Sequence, residues 1–87
     1  MKALIMYDIK TDDGGKTLDK IRKTCEKHGI HIQNSVFLVD MTLRDILALK
    51  DKLLLEGGDR LDLRIYKCEV LFETSEKLDV INGVLFF

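Results

Sequence analysis

The hydrophobic positions of the chain predict four short strands. Residues 2–9 are apolar on both strand faces until Asp8, a pattern typical of a central strand that is covered on two sides. A second β-rich region spans residues 30–39, and its interruption at residues 34–35 fits either a hairpin turn or one longer strand with a bulge. Residues 61–66 alternate between apolar and polar positions, so we expect one face of that strand to point toward a core.

Two further stretches have helical spacing. Residues 16–28 form the first, and Gly29 is well placed to end it as the C′ residue. The second begins at Thr42, which forms a capping-box pattern with Asp45, and stops at the two glycines of residues 57–58. The stripes that we expect to be buried contain Leu18, Ile21 and Cys25 in the first helix and Ile46, Leu47, Leu53 and Leu54 in the second.

The element order is βαββαβ, which is the ferredoxin-like arrangement of the α+β class. One ferredoxin-like domain accounts for residues 1–87, with its core in residues 2–72. Residues 70–72 fit an extension of the last strand. Residues 73–87 form a C-terminal tail with an apolar end, and an apolar end needs a cover. We expect the tail to supply an additional C-terminal strand at a sheet edge, either its own or that of a partner.

The composition describes a small domain. The chain has 87 residues, 46% of them hydrophobic, so its core is thin and a partner subunit would add burial. We therefore expect a homodimer. No signal peptide is visible and no segment approaches the roughly 20 apolar residues that span a bilayer, so we expect a cytoplasmic protein without a membrane partner. Cys25 and Cys68 are far apart, each within a predicted regular element, and we interpret both as small core hydrophobes.

The net charge of −1 does not by itself indicate nucleic-acid binding, so any such function must be argued from the local distribution of charge. Four lysines fall within an arc of about 60° on the first helix, on roughly the opposite side from its apolar stripe. They form a ridge about 16 Å long, which matches a phosphate backbone as well as an ordinary solvated helix face. This lysine ridge consists of Lys16, Lys20, Lys23 and Lys27.

Asp8 is the first candidate for chemistry, because a carboxylate at the end of a buried strand sits where sheets commonly hold reactive groups. The alternative is a strand-ending turn residue. Asp12 and Asp13 precede two glycines and are better explained as turn residues than as metal ligands. His28 and His31 straddle a predicted helix end, so metal-ligand geometry is not expected, and His28 suits a helix C-terminus as a cation.

Several residues together resemble the small CRISPR-associated endoribonuclease family, the partner of the CRISPR integrase in spacer acquisition. The resemblance covers residues 2–66. It rests on Tyr7-Asp8-Ile9 closing strand 1, Leu18 and Ile21 in a helix that ends at His28-Gly29, the run Ile32-Gln33-Asn34-Ser35-Val36-Phe37, and Arg64-Ile65-Tyr66.

The resemblance implies a homodimer in which each copy donates Asp8 to a shared site at the dimer interface. It implies Mg²⁺-dependent cleavage of RNA or DNA, with one ion per dimer held by Asp8 and with Tyr7 and Phe37 shaping the catalytic site. It also implies a place at the core of the spacer-integration complex, with the integrase subunit and double-stranded DNA as partners, and RNA as a further one. Two carboxylates brought together by a two-fold axis would repel unless a cation or a proton sat between them, which is compatible with such a site.

The chain departs from the family pattern at three places. Arginines that are common at the start of the first helix are replaced by residues 16–18, an arginine is replaced by His31, and a glutamate is replaced by Leu38. The loss of bidentate phosphate binders weakens the nuclease interpretation more than the assembly interpretation. A protonated His31 would still contact phosphate, and an exposed strand histidine without a ligand is its alternative.

Three functions therefore compete. The first is a spacer-acquisition subunit whose lysine ridges hold duplex DNA while the integrase does the chemistry. The second is a metal-dependent nuclease, either in the same system or as a toxin-like ribonuclease of similar fold. The third is a non-enzymatic module that binds a small regulatory ligand, although the proline of its usual first loop is missing from this proline-free chain. An RNA-recognition domain fits less well, because no strand motif supplies a stacking platform.

Overall fold

The computed structural model describes residues 1–10 and 13–71, and within them it has the predicted order of elements. The C-terminal tail and its expected extra strand lie outside the described residues. The elements are β1 (Lys2–Ile9), α1 (Lys16–Glu26), β2 (Gly29–Gln33), β3 (Val36–Asp40), α2 (Leu43–Gly57), a short 3-10 helix (Gly58–Arg60) and β4 (Leu61–Lys67).

The four strands form one antiparallel sheet in the order β2-β3-β1-β4, which confirms the ferredoxin-like arrangement. β1 lies in the centre and pairs with β3 on one side and β4 on the other. A turn at Asn34 and Ser35 joins β2 to β3, and Asn34 adopts a positive φ of 37°. The register of the β2–β3 pairing shifts between His31 and Gln33. The region therefore contains both a hairpin turn and a bulge-like irregularity, the two alternatives that fit the sequence.

Both helices lie against the same face of the sheet. Thr24 and Glu56 join them, because the Thr24 hydroxyl donates a hydrogen bond of 2.8 Å to the Glu56 carboxylate. α2 begins as predicted, with the Thr42 hydroxyl accepting a hydrogen bond from the Asp45 N–H. The buried core between helices and sheet consists of Ala3, Ile5, Tyr7, Ile21, Cys25, Phe37, Val39, Ile46, Leu49 and Leu53.

Three leucines that were expected in the core are partly exposed instead. Leu18 is 40% exposed, and Leu47 and Leu54 are similarly accessible. The prediction of their burial was wrong because the helices cover the sheet from one side only, so each helix buries a narrow stripe. On α2 that stripe passes through Leu49, while Leu47 and Leu54 border an open groove beside β4.

Gly29 is the first residue of β2 and does not end α1, which stops at Glu26. The prediction of a C′ glycine was wrong, and close strand packing accounts for the glycine instead. A Cβ atom at this position would lie 2.5 Å from the Leu38 carbonyl oxygen on the neighbouring strand. Only glycine allows β2 and β3 to approach this closely.

The two cysteines differ in their surroundings. Cys25 is buried, and burial raises the pKa of its thiol to about 12, which fits the predicted role as a core hydrophobe. Cys68 follows β4 and is only half-buried, so its predicted place within a regular element was wrong. Residues 68–71 do not extend the strand. In the described residues, no helix is long and apolar enough to cross a membrane.

Replacing Leu53 by alanine tests the position of the core. Leu53 is fully buried, so Leu53→Ala should lower the free energy of unfolding by about 2–5 kcal/mol. Leu55 lies on the same helix with 84% of its surface exposed, and Leu55→Ala should change the free energy by less than about 0.5 kcal/mol. Chemical denaturation of the two variants measures both values, and equal losses would contradict the orientation of α2.

Candidate functional site

Asp8 lies exposed near the end of the central strand, on the sheet face that the helices leave uncovered. Strand alternation puts Ala3, Ile5 and Tyr7 into the core and turns Asp8 outward. Within the described part of the chain, the Asp8 carboxylate has neither a hydrogen-bond partner nor an ion-pair partner. Both oxygens are therefore free to accept a ligand.

The uncovered sheet face around Asp8 is largely apolar; we call it the open face. On β1 it carries Leu4 and Met6, which are half-buried although no helix covers them. Their cross-strand neighbours on β3 are Leu38 and Val36, respectively. On the opposite side, Tyr66 pairs with Leu4 and is exposed. The sequence predicts that β1 is covered on both faces, and within residues 1–10 and 13–71 the helices cover one of them.

Asp62 and Arg64 are two neighbours of Asp8 that sequence reasoning did not assign to the site. The antiparallel register places Asp62 directly opposite Asp8, and Arg64 directly opposite Met6. Alternation along residues 61–66 already predicted that both side chains share one face. Only the register between β1 and β4 brings Asp62 and Arg64 next to Asp8, and the sequence does not reveal that register.

Tyr7 and Phe37 do not join Asp8. Both are buried on the helix-covered face of the sheet, where their rings stack with centroids 6.3 Å apart. Tyr7 also donates its backbone N–H to the Ser35 carbonyl oxygen at 3.1 Å. The two aromatic residues therefore support β1 from behind and do not line the site.

The lysine ridge lies on the outer side of α1, and all four of its lysines are exposed. Lys23 forms an ion pair with Asp19 at 3.1 Å, and Asp19 and Glu26 also bind Arg22. Because α1 packs its opposite side against the sheet through Ile21, the ridge faces away from the sheet. The lysine ridge and Asp8 are on opposite sides of one protomer.

The remaining candidates have local partners. Asp13 accepts hydrogen bonds from the Lys16 N–H, the Thr17 N–H and the Thr17 hydroxyl, so it caps the start of α1. These bonds, above all that from the Thr17 hydroxyl, lower the pKa of Asp13. Asp12 lies outside the described residues. His31 is exposed, stacks on Phe37 at 4.6 Å, and forms a hydrogen bond with the Asn34 carbonyl oxygen through Nε2.

The donor set of one protomer suits a hydrated hard cation better than a fully coordinated metal. Residues 1–10 and 13–71 contain no group of three or more His, Cys, Asp or Glu side chains arranged to hold a metal ion. The Asp8 carboxylate nevertheless has no partner among those residues, and Mg²⁺ keeps several waters and needs only one or two protein carboxylates. The described residues of the open face are thus compatible with a hydrated Mg²⁺ and do not supply the four ligands of a tetrahedral zinc site.

Two clefts on the helix side of the protomer lie away from Asp8. One, of about 450 Å³, is the groove between α2 and β4, and its lining is mainly apolar. The other, of about 350 Å³, lies between His28 and α2. Neither contains the candidate residues Asp8, Asp62 or Arg64.

Comparison with protein families identifies the chain's relatives. Residues 1–70 match the family model described as CRISPR associated protein Cas2. A CRISPR-associated endonuclease Cas2 of Halalkalibacterium halodurans is 39% identical over 79 residues, which cover 86% of this chain and 81% of that protein. A CRISPR-associated endoribonuclease Cas2 of Chlorobaculum tepidum is 38% identical over 69 residues, covering 76% of this chain and 72% of that protein.

Solved structures agree with the fold. The crystal structure of Streptococcus pyogenes Cas2 superposes with a TM-score of 0.70 at 29% identity, covering 79% of this chain and 87% of that one. A hypothetical protein from Thermus thermophilus superposes with a TM-score of 0.68 at 22% identity, covering 86% of this chain and 87% of that one. The second likeness concerns the fold alone.

The placement of Tyr7 makes a prediction about its ionisation. Burial raises the pKa of Tyr7 to about 12, and the unfolded chain would titrate near 10. The chain has two tyrosines, so in Tyr66→Phe the absorbance of tyrosinate reports Tyr7 alone. We expect a midpoint about 2 pH units higher in the folded protein than in denaturant.

The same shift links Tyr7 to stability. Because its folded pKa is raised, the stabilisation is complete below about pH 10 and disappears as the pH rises toward about 12. Unfolding of Tyr66→Phe at a series of alkaline pH values measures this loss, with Tyr7→Phe/Tyr66→Phe as the control that lacks a tyrosine. A folded-state midpoint near 10 would contradict the burial of the hydroxyl.

Proposed function

The chain belongs to the family of CRISPR-associated Cas2 proteins, and from that premise we propose that it is the homodimeric core of a spacer-integration complex in CRISPR adaptation. Family membership supports the role in adaptation, and the finer assignment depends on the open face. The observation that carries the proposal is Asp8, which is exposed at the margin of that face and has no partner in the part of the chain that the structure describes.

A second copy of the chain is the proposed occupant of the open face. The face presents the half-buried apolar side chains of Leu4, Met6 and Val36, which the helices do not cover, and an 87-residue chain gains burial by association. An isologous contact around a two-fold axis would bring two copies of Asp8 to one site. Each protomer then contributes half of a carboxylate pair.

The residues that would hold Mg²⁺ are the two copies of Asp8. When bound there, the ion would polarise a phosphodiester oxygen and lower the pKa of a water. Asp8 itself is held by the ladder between β1 and β4, so its position does not depend on the loop that follows β1. Tyr7 and Phe37 act only through the strand that carries Asp8.

The lysine ridge is proposed to hold the backbone of duplex DNA. Three of its cations lie on α1 and the fourth, Lys27, directly follows the helix. They face away from the open face, so a dimer formed there leaves both ridges accessible. Contacts to phosphate carry little sequence information and weaken with salt. The partner that performs the integration chemistry would be the CRISPR integrase.

A charge-reversed ridge tests DNA binding. Lys20→Glu/Lys23→Glu/Lys27→Glu should weaken duplex binding, and the slope of log K against log salt should become shallower by about 3 because three phosphate contacts are lost. Fluorescence anisotropy of a labelled duplex measures both. The matched control, Arg44→Glu/Lys50→Glu/Lys52→Glu, makes the same change of charge on α2. If both variants bind the duplex equally well, the lysine ridge is not the DNA-binding surface.

A second function, Mg²⁺-dependent phosphodiester cleavage, is favoured by the same Asp8 and by the names of the relatives as an endonuclease and an endoribonuclease. It is proposed as an activity of the dimer. The toxin-like ribonuclease would use the same residue but would not require an integrase.

Replacing Asp8 tests cleavage. Asp8→Asn keeps the shape of the side chain and removes its charge, so cleavage of RNA and DNA in Mg²⁺ should fall to background while the dimer mass in light scattering stays unchanged. Asp51→Asn removes an exposed carboxylate from α2 and should cleave like the parent. If Asp8→Asn cleaves as well as the parent, the activity belongs to another site or a contaminant.

A further inference from the structure

The register between β1 and β4 opposes two carboxylates. Asp62 lies directly across from Asp8, and both side chains are on the open face. Like charges in this position destabilise a sheet. A local arrangement that conflicts with stability points to a functional use of the residues involved.

Arg64 lies diagonally across from Asp8, at a spacing of about 7–8 Å between backbones that a long side chain can bridge. One of its guanidinium nitrogens is 3.7 Å from an Asp62 oxygen, which is too long for a hydrogen bond. The Arg64 side chain is 63% exposed, so this ion pair is weak. The Arg64 guanidinium can therefore leave Asp62 for an oxyanion that it binds more tightly, with little loss of free energy.

We propose that Arg64 is the phosphate-binding side chain of the Asp8 site and that Asp62 holds its guanidinium toward Asp8 until nucleic acid binds. This inference rests on the function proposed for Asp8. Its ligand is the phosphodiester group common to RNA and DNA, which arginine binds through two parallel hydrogen bonds. Phosphate neutralises Arg64 in place of Asp62 and leaves the Asp62 carboxylate beside Asp8.

Lys2 and the lysine ridge are less well placed for this task. Lys2 shares the open face, but it is six residues from Asp8 along β1, a distance of about 20 Å. The lysine ridge is on the far side of α1. Among the cations within β1 and β4, Arg64 is therefore the nearest to Asp8 in the register. Lys10 and Arg60 lie just past the strand ends.

The assignment predicts opposite effects on two ligands. Arg64→Gln removes a positive charge beside two carboxylates, so it should weaken binding of a short single-stranded RNA about tenfold and leave Mn²⁺ affinity equal or higher. Asp62→Asn removes a negative charge and should weaken Mn²⁺ binding while leaving RNA binding equal or tighter. A merely structural role would weaken both ligands in the same variant.

The experiment measures RNA binding by fluorescence anisotropy, Mn²⁺ binding by calorimetry and mass by light scattering, on the full chain at one salt concentration. Arg44→Gln is the matched control, because it removes an exposed arginine from the start of α2, and it should bind RNA within about twofold of the parent. Arg64→Lys should recover part of the RNA affinity, since lysine binds phosphate as a point charge.

The outcomes separate the inference from the proposed function. If Asp8→Asn loses Mn²⁺ binding while Arg64→Gln binds RNA like Arg44→Gln, the inference is overturned and the Asp8 site stands. If Asp8→Asn binds Mn²⁺ like the parent, the metal site itself fails and the inference fails with it. A fall in mass for Arg64→Gln would assign the arginine to assembly and would also overturn the inference.

Discussion

The alternation of side chains along β1 is the constraint on which the rest of the structure depends. β1 is hydrogen-bonded on both edges, so its register is fixed by β3 and β4 together. Ile5 is thereby held under the helices, and Asp8 is turned to the open face. A shift of one residue in this register would bury the Asp8 carboxylate and expose the core side chains. The resulting loss of free energy would exceed the stability of so small a domain.

This alternation separates two kinds of charge. The helices occupy one face of the sheet, and their outer surface carries the lysine ridge, while the other face carries Asp8 with Asp62 and Arg64. In the proposed function, the attraction of a polyanion and the chemistry on a phosphodiester therefore belong to different surfaces. Neither of the two clefts described on the helix side contains residues of both sets, and the proposed function relies on association.

Much of the fold was predictable from periodicity, because strands and helices impose different spacings on apolar residues. The βαββαβ order, the cap at Thr42 and the exposure of Asp8 follow from local pattern. The exposure of Leu47 and Leu54 was not predictable, since helical spacing does not tell how wide a stripe the sheet will cover. Gly29 was misjudged because close contact with Leu38 depends on strand pairing, and helix termini favour the same residue.

The sequence predicted the single carboxylate of the candidate site, Asp8, but not its neighbours Asp62 and Arg64. Asp62 is 54 positions and Arg64 is 56 positions from Asp8 in the chain, and no local pattern encodes the strand register that brings them together. Pairing of β1 with β4 also has a consequence for synthesis and folding. A nascent chain that ends before residue 61 can build β1, both helices and the β2-β3 hairpin, but it cannot place Asp62 or Arg64 beside Asp8. The electrostatic repulsion between the two carboxylates therefore arises only after the hydrophobic core that must withstand it has been translated.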